Sequence, residues 1–179
     1  DQFRNFVNKY KIPCAATFFG ADLLENSNDM YIGRVGLVGE RAGNFAIQNC
    51  DLLISLGTRM AQGLVGYNSQ WFAREAKIVY LDIDEEELKK DNLNYELKIK
   101  MDLVEFFKNI KLNKKENNKD YAFWINKCKH WKNKWFGDIP KDIDDKNGIS
   151  PYYFLDKFCK QAPKNKVILT ASGSVNNII

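Results

Sequence analysis

Histidine is almost missing from this 179-residue chain; His130 is the single example. Cysteine is sparse and scattered: Cys14, Cys50, Cys128 and Cys159 stand far apart, and none forms a Cys-x-x-Cys pair. A zinc site and a disulfide framework are therefore not expected. Long apolar runs are absent too, since crossing a bilayer as a helix takes about 20 such residues. The opening Asp1-Gln2-Phe3-Arg4 lacks a signal-peptide pattern, so the expectation is a cytoplasmic protein without a membrane segment. There is no G-x-G-x-x-G dinucleotide fingerprint, and no Ser/His/Asp or Cys/His pattern. Paired acidic residues occur only in Glu85-Glu86-Glu87, at a helix start, and in Asp144-Asp145, in a loop. Internal repeats and low-complexity tracts are also absent.

What is present is ordinary globular material: 45% hydrophobic and 28% charged residues, enough for one good core. The net charge of +4 is unevenly spread. Residues 1–110 carry 13 basic and 16 acidic side chains, and residues 111–179 carry 14 and 7. A basic last third is either a nucleic-acid surface or a solvated tether.

The first 110 residues alternate strand-like and helix-like segments. Phe3 to Tyr10 has helical spacing, and Ile12 to Thr17 follows as a short strand. Residues 20–42 are rich in glycine and read as loop. Ala42 to Asn49 reads as a helix. The apolar run Asp51 to Gly57 suits a buried parallel strand, and Lys77 to Asp84 is a second. Glu85 to Lys90 is a short helix with an acidic first turn. Glu96 to Met101 is a weaker strand, and Asp102 caps a helix over Leu103 to Ile110. This alternation predicts an α/β fold, a parallel sheet with helices on both faces.

Residues 111–120 are a polar linker. Tyr121, Trp124, Cys128, Trp131 and Trp135 then form one stripe of a helix over Tyr121 to Phe136, with Lys127, Lys129, Lys132 and Lys134 mostly off it. Residues 137–150 are loop. Ser150-Pro151 starts a helix over residues 152–161, Val167 to Thr170 reads as a strand, and Ala171 to Ser174 as a turn.

Four features could carry chemistry. Gly36-Leu37-Val38-Gly39 precedes a helix, so its amides could face an anion, or it is a turn. Gly57-Thr58-Arg59 ends a strand, where open parallel sheets bind ligands and an arginine can grip phosphate. The alternative is a plain strand end with a surface arginine. Asp82 and Asp84 end the next strand, placed to meet ribose hydroxyls or to cap the following helix; capping is favoured for Asp84. The tryptophan stripe could stack bases, but its regular spacing favours packing. His130 reads as a surface residue.

Several segments, in order, resemble thiamine-diphosphate-dependent enzymes of the acetolactate synthase type. Ile12-Pro13-Cys14-Ala15-Ala16-Thr17-Phe18-Phe19-Gly20 is similar to the family's "iPv-x-t-T-l-x-G". Tyr31-Ile32-Gly33 with Gly36-Leu37-Val38-Gly39 is similar to "y-x-G-m-x-G-m-h-G", and Arg41 to Ala46 to "t-x-x-A-N-x-A". Cys50 to Arg59 is similar to "a-D-L-l-i-a-l-G-x-R", Ala76 to Asp84 to "a-k-i-i-h-i-D-i-D", and Met101-Asp102 to "g-D".

The resemblance implies a division into residues 1–110 as a central Rossmann-like domain, 111–150 as a linker with an amphipathic helix, and 151–179 as the start of a diphosphate-binding domain. The central domain would have the fold of deoxyhypusine synthase and FAD-binding domains: six parallel strands, here without the first. It implies FAD contacts at Thr17, Phe18, Val38, Gly39, Gly57, Thr58, Arg59, Asp82 and Asp102. Thiamine diphosphate and Mg²⁺ would bind outside this chain, in a parent enzyme acting on a 2-oxo acid as a homodimer or homotetramer.

Two departures weaken the flavin site. Met60 to Gly66 replaces the family's "f-D-D-R-v-T-G", and Val38 stands where the family has histidine. No catalytic or metal-binding residue of the family falls in the chain, and Asn176-Asn177 lacks the preceding Gly-Asp-Gly. The rival readings are a non-catalytic nucleotide- or CoA-binding module and, least favoured, a nucleic-acid binder.

Overall fold

The structure is a computed structural model that describes residues 1–111, 119–135, 148–163, 165, 167–170 and 173. The chain divides into two compact units, Asp1–Phe136 and Gly137–Ile179.

The first unit opens with helix α1 (Gln2–Tyr10), whose Phe3, Phe6, Val7 and Tyr10 recur at helical spacing and put Phe6 and Val7 in the core. The helix stops at Lys11, which takes a left-handed conformation (φ 53°). Strand β1 (Cys14–Ala16) pairs in parallel with β2 (Tyr31–Arg34). The second of these lies inside the stretch read as loop. Its Tyr31, Ile32 and Gly33 are buried, so packing makes a strand that neither length nor alternation announces. Helix α2 (Arg41–Asn49) lies close on β2: a β-carbon on Gly43 would stand 2.4 Å from the Arg34 carbonyl oxygen.

Strands β3 (Leu52–Leu56), β4 (Lys77–Asp82) and β5 (Tyr95–Lys100) form a second parallel ladder in the order β3-β4-β5. The central β4 is buried as expected, with Tyr80 and Leu81 at its heart. The expectation of a fully buried β3 does not hold: only Ser55 is buried and Leu52 is 50% exposed. The reason is that β3 pairs with β4 alone, so its other edge has no strand beside it among the described residues.

Short helices α3 (Gln62–Val65) and α4 (Glu85–Leu88) follow β3 and β4, and α5 (Leu103–Asn109) follows β5. Asp102 caps α5 as the sequence predicts, its Oδ1 accepting from the Val104 N–H at 2.7 Å. Rings of α1 and α5 meet, Phe6 against Phe107 at 5.5 Å and Phe3 against Phe107 at 6.1 Å.

Helix α6 (Lys119–Trp135) belongs to the same unit. Its stripe packs as the spacing predicts: Trp124, Cys128, Trp131 and Trp135 lie on Ile32, Ala42 and Ala46. Full burial of a side chain such as Ile32 contributes roughly 1.5–3 kcal/mol. Tyr121 Oη donates to the Lys11 carbonyl at 2.7 Å. Lys132 departs from the expectation of an off-stripe surface lysine. It is buried, and its Nζ donates to the carbonyls of Asn26 and Asn28 at 2.7 and 2.9 Å. His130 is exposed, as expected.

The fold is therefore α/β and Rossmann-like, with parallel strands and flanking helices. The resemblance led us to expect one continuous sheet; the described strands instead form two ladders.

In the second unit, α7 (Pro151–Gln161) starts at Ser150 with Pro151 in its first turn and buries Leu155. Residues 167–170 are not a strand, contrary to the sequence reading. Val167 and Leu169 are 88% and 91% exposed, and no described residue forms a ladder with them. Most of the expected linker (112–118), Phe136, the loop at 137–147, and the expected turn and final residues, Gly173 apart, lie outside the described residues.

Candidate functional site

Every candidate residue stands at or just beyond the carboxyl end of a strand. Thr17 and Phe18 follow β1, and Val38 and Gly39 follow β2. Gly57, Thr58 and Arg59 follow β3, Asp82 ends β4, and Asp102 follows β5. Parallel strands finish on one edge, so each ladder gathers its own set. The two sets are linked where the Leu37 N–H donates to the Gly63 carbonyl at 2.9 Å.

The glycine loop is a self-satisfied turn. The Gly36 N–H donates to Asn44 Oδ1 at 2.9 Å, Gly39 N–H to the Gly36 carbonyl at 3.0 Å, and Glu40 N–H to the Arg34 carbonyl at 2.9 Å. These amides already have acceptors, so the anion-cradle reading fails for them and the turn reading holds. Of the amides from Gly36 to Glu40, that of Val38 alone has no acceptor among the described residues.

Gly57 takes φ 58°, a conformation that favours glycine, as β3 turns toward α3. Thr58 Oγ1 donates to the Leu56 carbonyl at 3.3 Å. The Arg59 side chain is 74% exposed, with Nε 3.7 Å from Glu87 Oε1. Glu87 is itself buried. Its Oε2 accepts from Tyr80 Oη at 3.4 Å and also pairs with Lys90. Burial first, then the Asp82 and Glu87 carboxylates, raises the Tyr80 phenol above its ordinary range. Burial pushes the neighbouring Tyr95, stacked at 5.1 Å on Tyr80, up to about 12. Tyr95 Oη donates to Asn92 Oδ1 at 2.9 Å, and Asn92 Nδ2 to the Met60 carbonyl at 2.8 Å. The loop carrying Arg59 is thus fastened to the segment between α4 and β5.

Asp82 is buried, and its Oδ1 accepts from the Asp84 N–H at 2.9 Å. Asp84 Oδ1 accepts from the Glu86 N–H at 3.0 Å, so it caps α4 as favoured from sequence. One oxygen of Asp82 is therefore structural and the other is outside that bond. Exposed apolar side chains crowd the segments after these strands: Phe19, Leu37, Val38, Tyr67, Trp71 and Ile83.

Three contributors were not read from sequence: Asn44, Glu87 and Ser55. Ser55 Oγ is a buried polar atom with no partner among the described residues. A lone serine in an apolar run carries no signal of that kind. Glu87 sits in an acidic run that looked like a solvated helix start. Asn44 could have been flagged, because asparagine commonly satisfies turn amides.

As a donor set, this edge offers one exposed guanidinium, the Val38 amide, a threonine hydroxyl, carboxylates and flat apolar surface. It lacks the second arginine and the paired aspartates of a full flavin grip.

Comparison with known proteins agrees with this architecture. A family model for the "Thiamine pyrophosphate enzyme, central domain" matches residues 1–110. The acetolactate synthase large subunit of Cyanidium caldarium is 33% identical over 137 residues, covering 74% of this chain and 23% of the relative. That of Porphyra purpurea is 29% identical over 156 residues, covering 85% of this chain and 26% of the relative. The isozyme 2 large subunit of Escherichia coli (strain K12) is 37% identical over 87 residues, 49% of this chain and 16% of the relative. The chain spans about a quarter of the length of the first two of these, 23% and 26%.

Proposed function

Because this chain belongs to the thiamine pyrophosphate enzymes, as their central domain, we propose that it is part of a longer enzyme acting on a 2-oxo acid. The parent is an acetolactate synthase-like enzyme or a related decarboxylase or lyase, cytoplasmic, working as a homodimer or homotetramer. Residues 1–110 are its central domain, 111–150 a tether with its helix, and 151–179 the lead-in to a diphosphate-binding domain.

Thiamine diphosphate, when bound, supplies the electron sink for breaking the bond beside the 2-oxo group. The described residues do not fit Mg²⁺, since no group of three His, Cys, Asp or Glu among them could hold a metal ion. Binding of both falls to other parts of the parent, and the residues here are structural and nucleotide-binding.

Arg59 carries the nucleotide reading. Its guanidinium stands exposed at the strand end where parallel sheets take ligands, with Glu87 beside it. In this reading Arg59 pairs with the diphosphate and Asp82 meets the ribose. The Val38 amide, Gly39, Gly57, Thr58 and Asp102 border the ligand, and Thr17 and Phe18 close the side toward β1. FAD is the ligand that the family resemblance favours. CoA or another adenosine nucleotide, bound without catalysis, is the second reading, since the same donors meet the same diphosphate.

Melting of the purified chain with FAD, ADP or CoA tests this. FAD and ADP are expected to raise the melting temperature, and Arg59→Ala to remove the rise. A rise with CoA alone favours the second reading, and no rise with any of the three defeats both. Turnover of a 2-oxo acid by this chain alone, dependent on thiamine diphosphate, would defeat the assignment of a structural role.

A further inference from the structure

A cleft of about 420 Å³ opens in the first unit, walled by α1, the segment 28–30 and α6. Helix α1 leads into β1, and residues 28–30 lead into β2. The cleft therefore stands at the amino ends of these strands, opposite the edge where the candidate nucleotide residues gather. Its size lies in the range of small-molecule sites, roughly 300–1,000 Å³.

Helical spacing builds the walls. Asn8 and Lys11 stand three residues apart at the end of α1, and Ala122, Ile125, Asn126 and Lys129 recur on one face of α6. Tyr121 Oη fastens α6 to the end of α1 through the Lys11 carbonyl, at 2.7 Å. Asn28 Nδ2 donates to Asn8 Oδ1 at 3.0 Å, and Lys129 Nζ to Asp29 Oδ2 at 2.6 Å, so the 28–30 segment is tied to both helices. Buried Met30 and half-buried Ile125 make an apolar floor.

The acceptors in this cleft are largely used. Asn8 Oδ1 takes the Asn28 carboxamide, Asn28 Oδ1 takes the Met30 N–H at 2.9 Å, and Asp29 takes Lys129. The donors are in surplus. Lys11 Nζ, Asn8 Nδ2 and Asn126 Nδ2 have no acceptor among the described residues. The charge has the same bias. The hydrogen bond from Lys129, then the charges of Lys129, Lys132 and Lys11, hold the Asp29 carboxyl below its usual range. Lys129 is matched to Asp29, and Lys132 donates to the Asn26 and Asn28 carbonyls. Lys11 has no ion-pair partner among the described residues.

A ligand for this cleft must accept hydrogen bonds, carry negative charge and cover an apolar floor. We propose that the cleft binds a small aliphatic carboxylate, with its oxygens on Lys11, Asn8 and Asn126 and its chain over Met30 and Ile125. An inorganic anion leaves the floor bare, and an alcohol leaves the Lys11 charge unmatched. The assignment does not rest on any nucleotide at the carboxyl edge.

Titration of the 179-residue chain with hexanoate, followed by amide NMR, tests it. Hexanol and inorganic phosphate serve as probes that carry only the chain or only the charge. Hexanoate is expected to shift the Asn8 and Asn126 carboxamide signals saturably, with at least ~10-fold higher affinity than either probe. The Val38 and Gly57 amides, at the opposite edge, are expected to stay in place. Lys11→Gln keeps the stem and removes the charge, and is expected to weaken hexanoate at least ~10-fold, whereas Lys11→Arg holds it near the parent value. Ala122→Glu sets a negative charge at an exposed position of the rim, and is expected to abolish binding with the Val38 and Gly57 signals unmoved. The absence of a saturable shift overturns the proposal, as does equal affinity for phosphate or hexanol. Movement confined to the Val38 and Gly57 amides, or unchanged affinity in Lys11→Gln or Ala122→Glu, overturns it as well.

Discussion

Asn44 grips Gly36 with both ends of its side-chain amide: Oδ1 accepts from the Gly36 N–H at 2.9 Å, and Nδ2 donates to the Gly36 carbonyl at 3.0 Å. One residue of α2 thereby fixes the turn that follows β2. Asn44→Ala removes both bonds and leaves a partly buried amide and carbonyl without partners, an expected loss of about 2 kcal/mol. Asn44→Asp keeps the acceptor but turns its second carboxylate oxygen on the Gly36 carbonyl, acceptor against acceptor, so its loss is expected to be at least as large. Urea unfolding of both variants checks the order, and equal stability to the parent chain in Asn44→Ala would contradict it.

Glu87 links Tyr80, Lys90 and Arg59, and its negative charge adds to the upward shift of both Tyr80 and Tyr95. Glu87→Gln removes that charge and keeps the shape, so both phenols are expected to titrate lower, Tyr95 below its present value of about 12. A phenol raised by folding contributes stability below its unfolded pKa near 10, and loses it as pH rises through the folded value. The alkaline fall in stability above about pH 10 is thus expected to be shallower in the variant. Ultraviolet titration of the tyrosines and unfolding at two alkaline pH values read both effects. Unchanged tyrosine titration would show that the carboxylate does not face these rings.

Asp29 is held below the usual carboxylate range, first by the hydrogen bond from Lys129 and then by its charge. A lowered carboxylate contributes stability that is present above the unfolded value and lost as pH falls through the folded one. Asp29→Asn is therefore expected to leave the variant closer to the parent chain at pH 2–3 than at pH 7, by roughly the range of an exposed ion pair. Unfolding at pH 7 and in acid gives the difference. A gap that widens in acid would have the wrong sign.

Burial pushes the thiols of Cys14 and Cys128 up to about 12 and that of Cys50 up to about 11. At pH 8 all three are protonated and poorly nucleophilic, while Cys159 is exposed. A thiol reagent is expected to label Cys159 first and Cys128, the buried one, only on unfolding, with Cys14 and Cys50 between them. Mass mapping of the order of modification checks this; early labelling of Cys128 would contradict its burial.

Much of the fold was legible where local chemistry speaks alone. The Asp102 and Asp84 caps, the central strand at Ile78 to Leu81 and the tryptophan stripe each follow from spacing or a side chain's own reach. Strand β2 was not legible, because Tyr31-Ile32-Gly33-Arg34 is short and broken by glycine, and only burial under α2 makes it a strand. The expected strand over Val167 to Thr170 fails for the converse reason: apolar residues make a strand only beside another strand. In the candidate site, the strand-end positions of Gly57, Arg59 and Asp82 were legible. The partners Asn44 and Glu87 were not, since each acts across a turn that sequence spacing does not reveal.

By itself the sequence determined the class of fold, the order of its elements and the family, because alternating segments and ordered motifs are properties of the chain. Tertiary structure decided how the polar groups are shared. It placed Lys132 in the core on two carbonyls, turned the glycine loop's amides inward, and left the Arg59 guanidinium exposed beside Glu87. Among the described residues it also split the parallel strands into two ladders. Hydrogen bonds join residues by distance in space and require a partner for every buried donor, and no pattern along a single chain states where that partner stands.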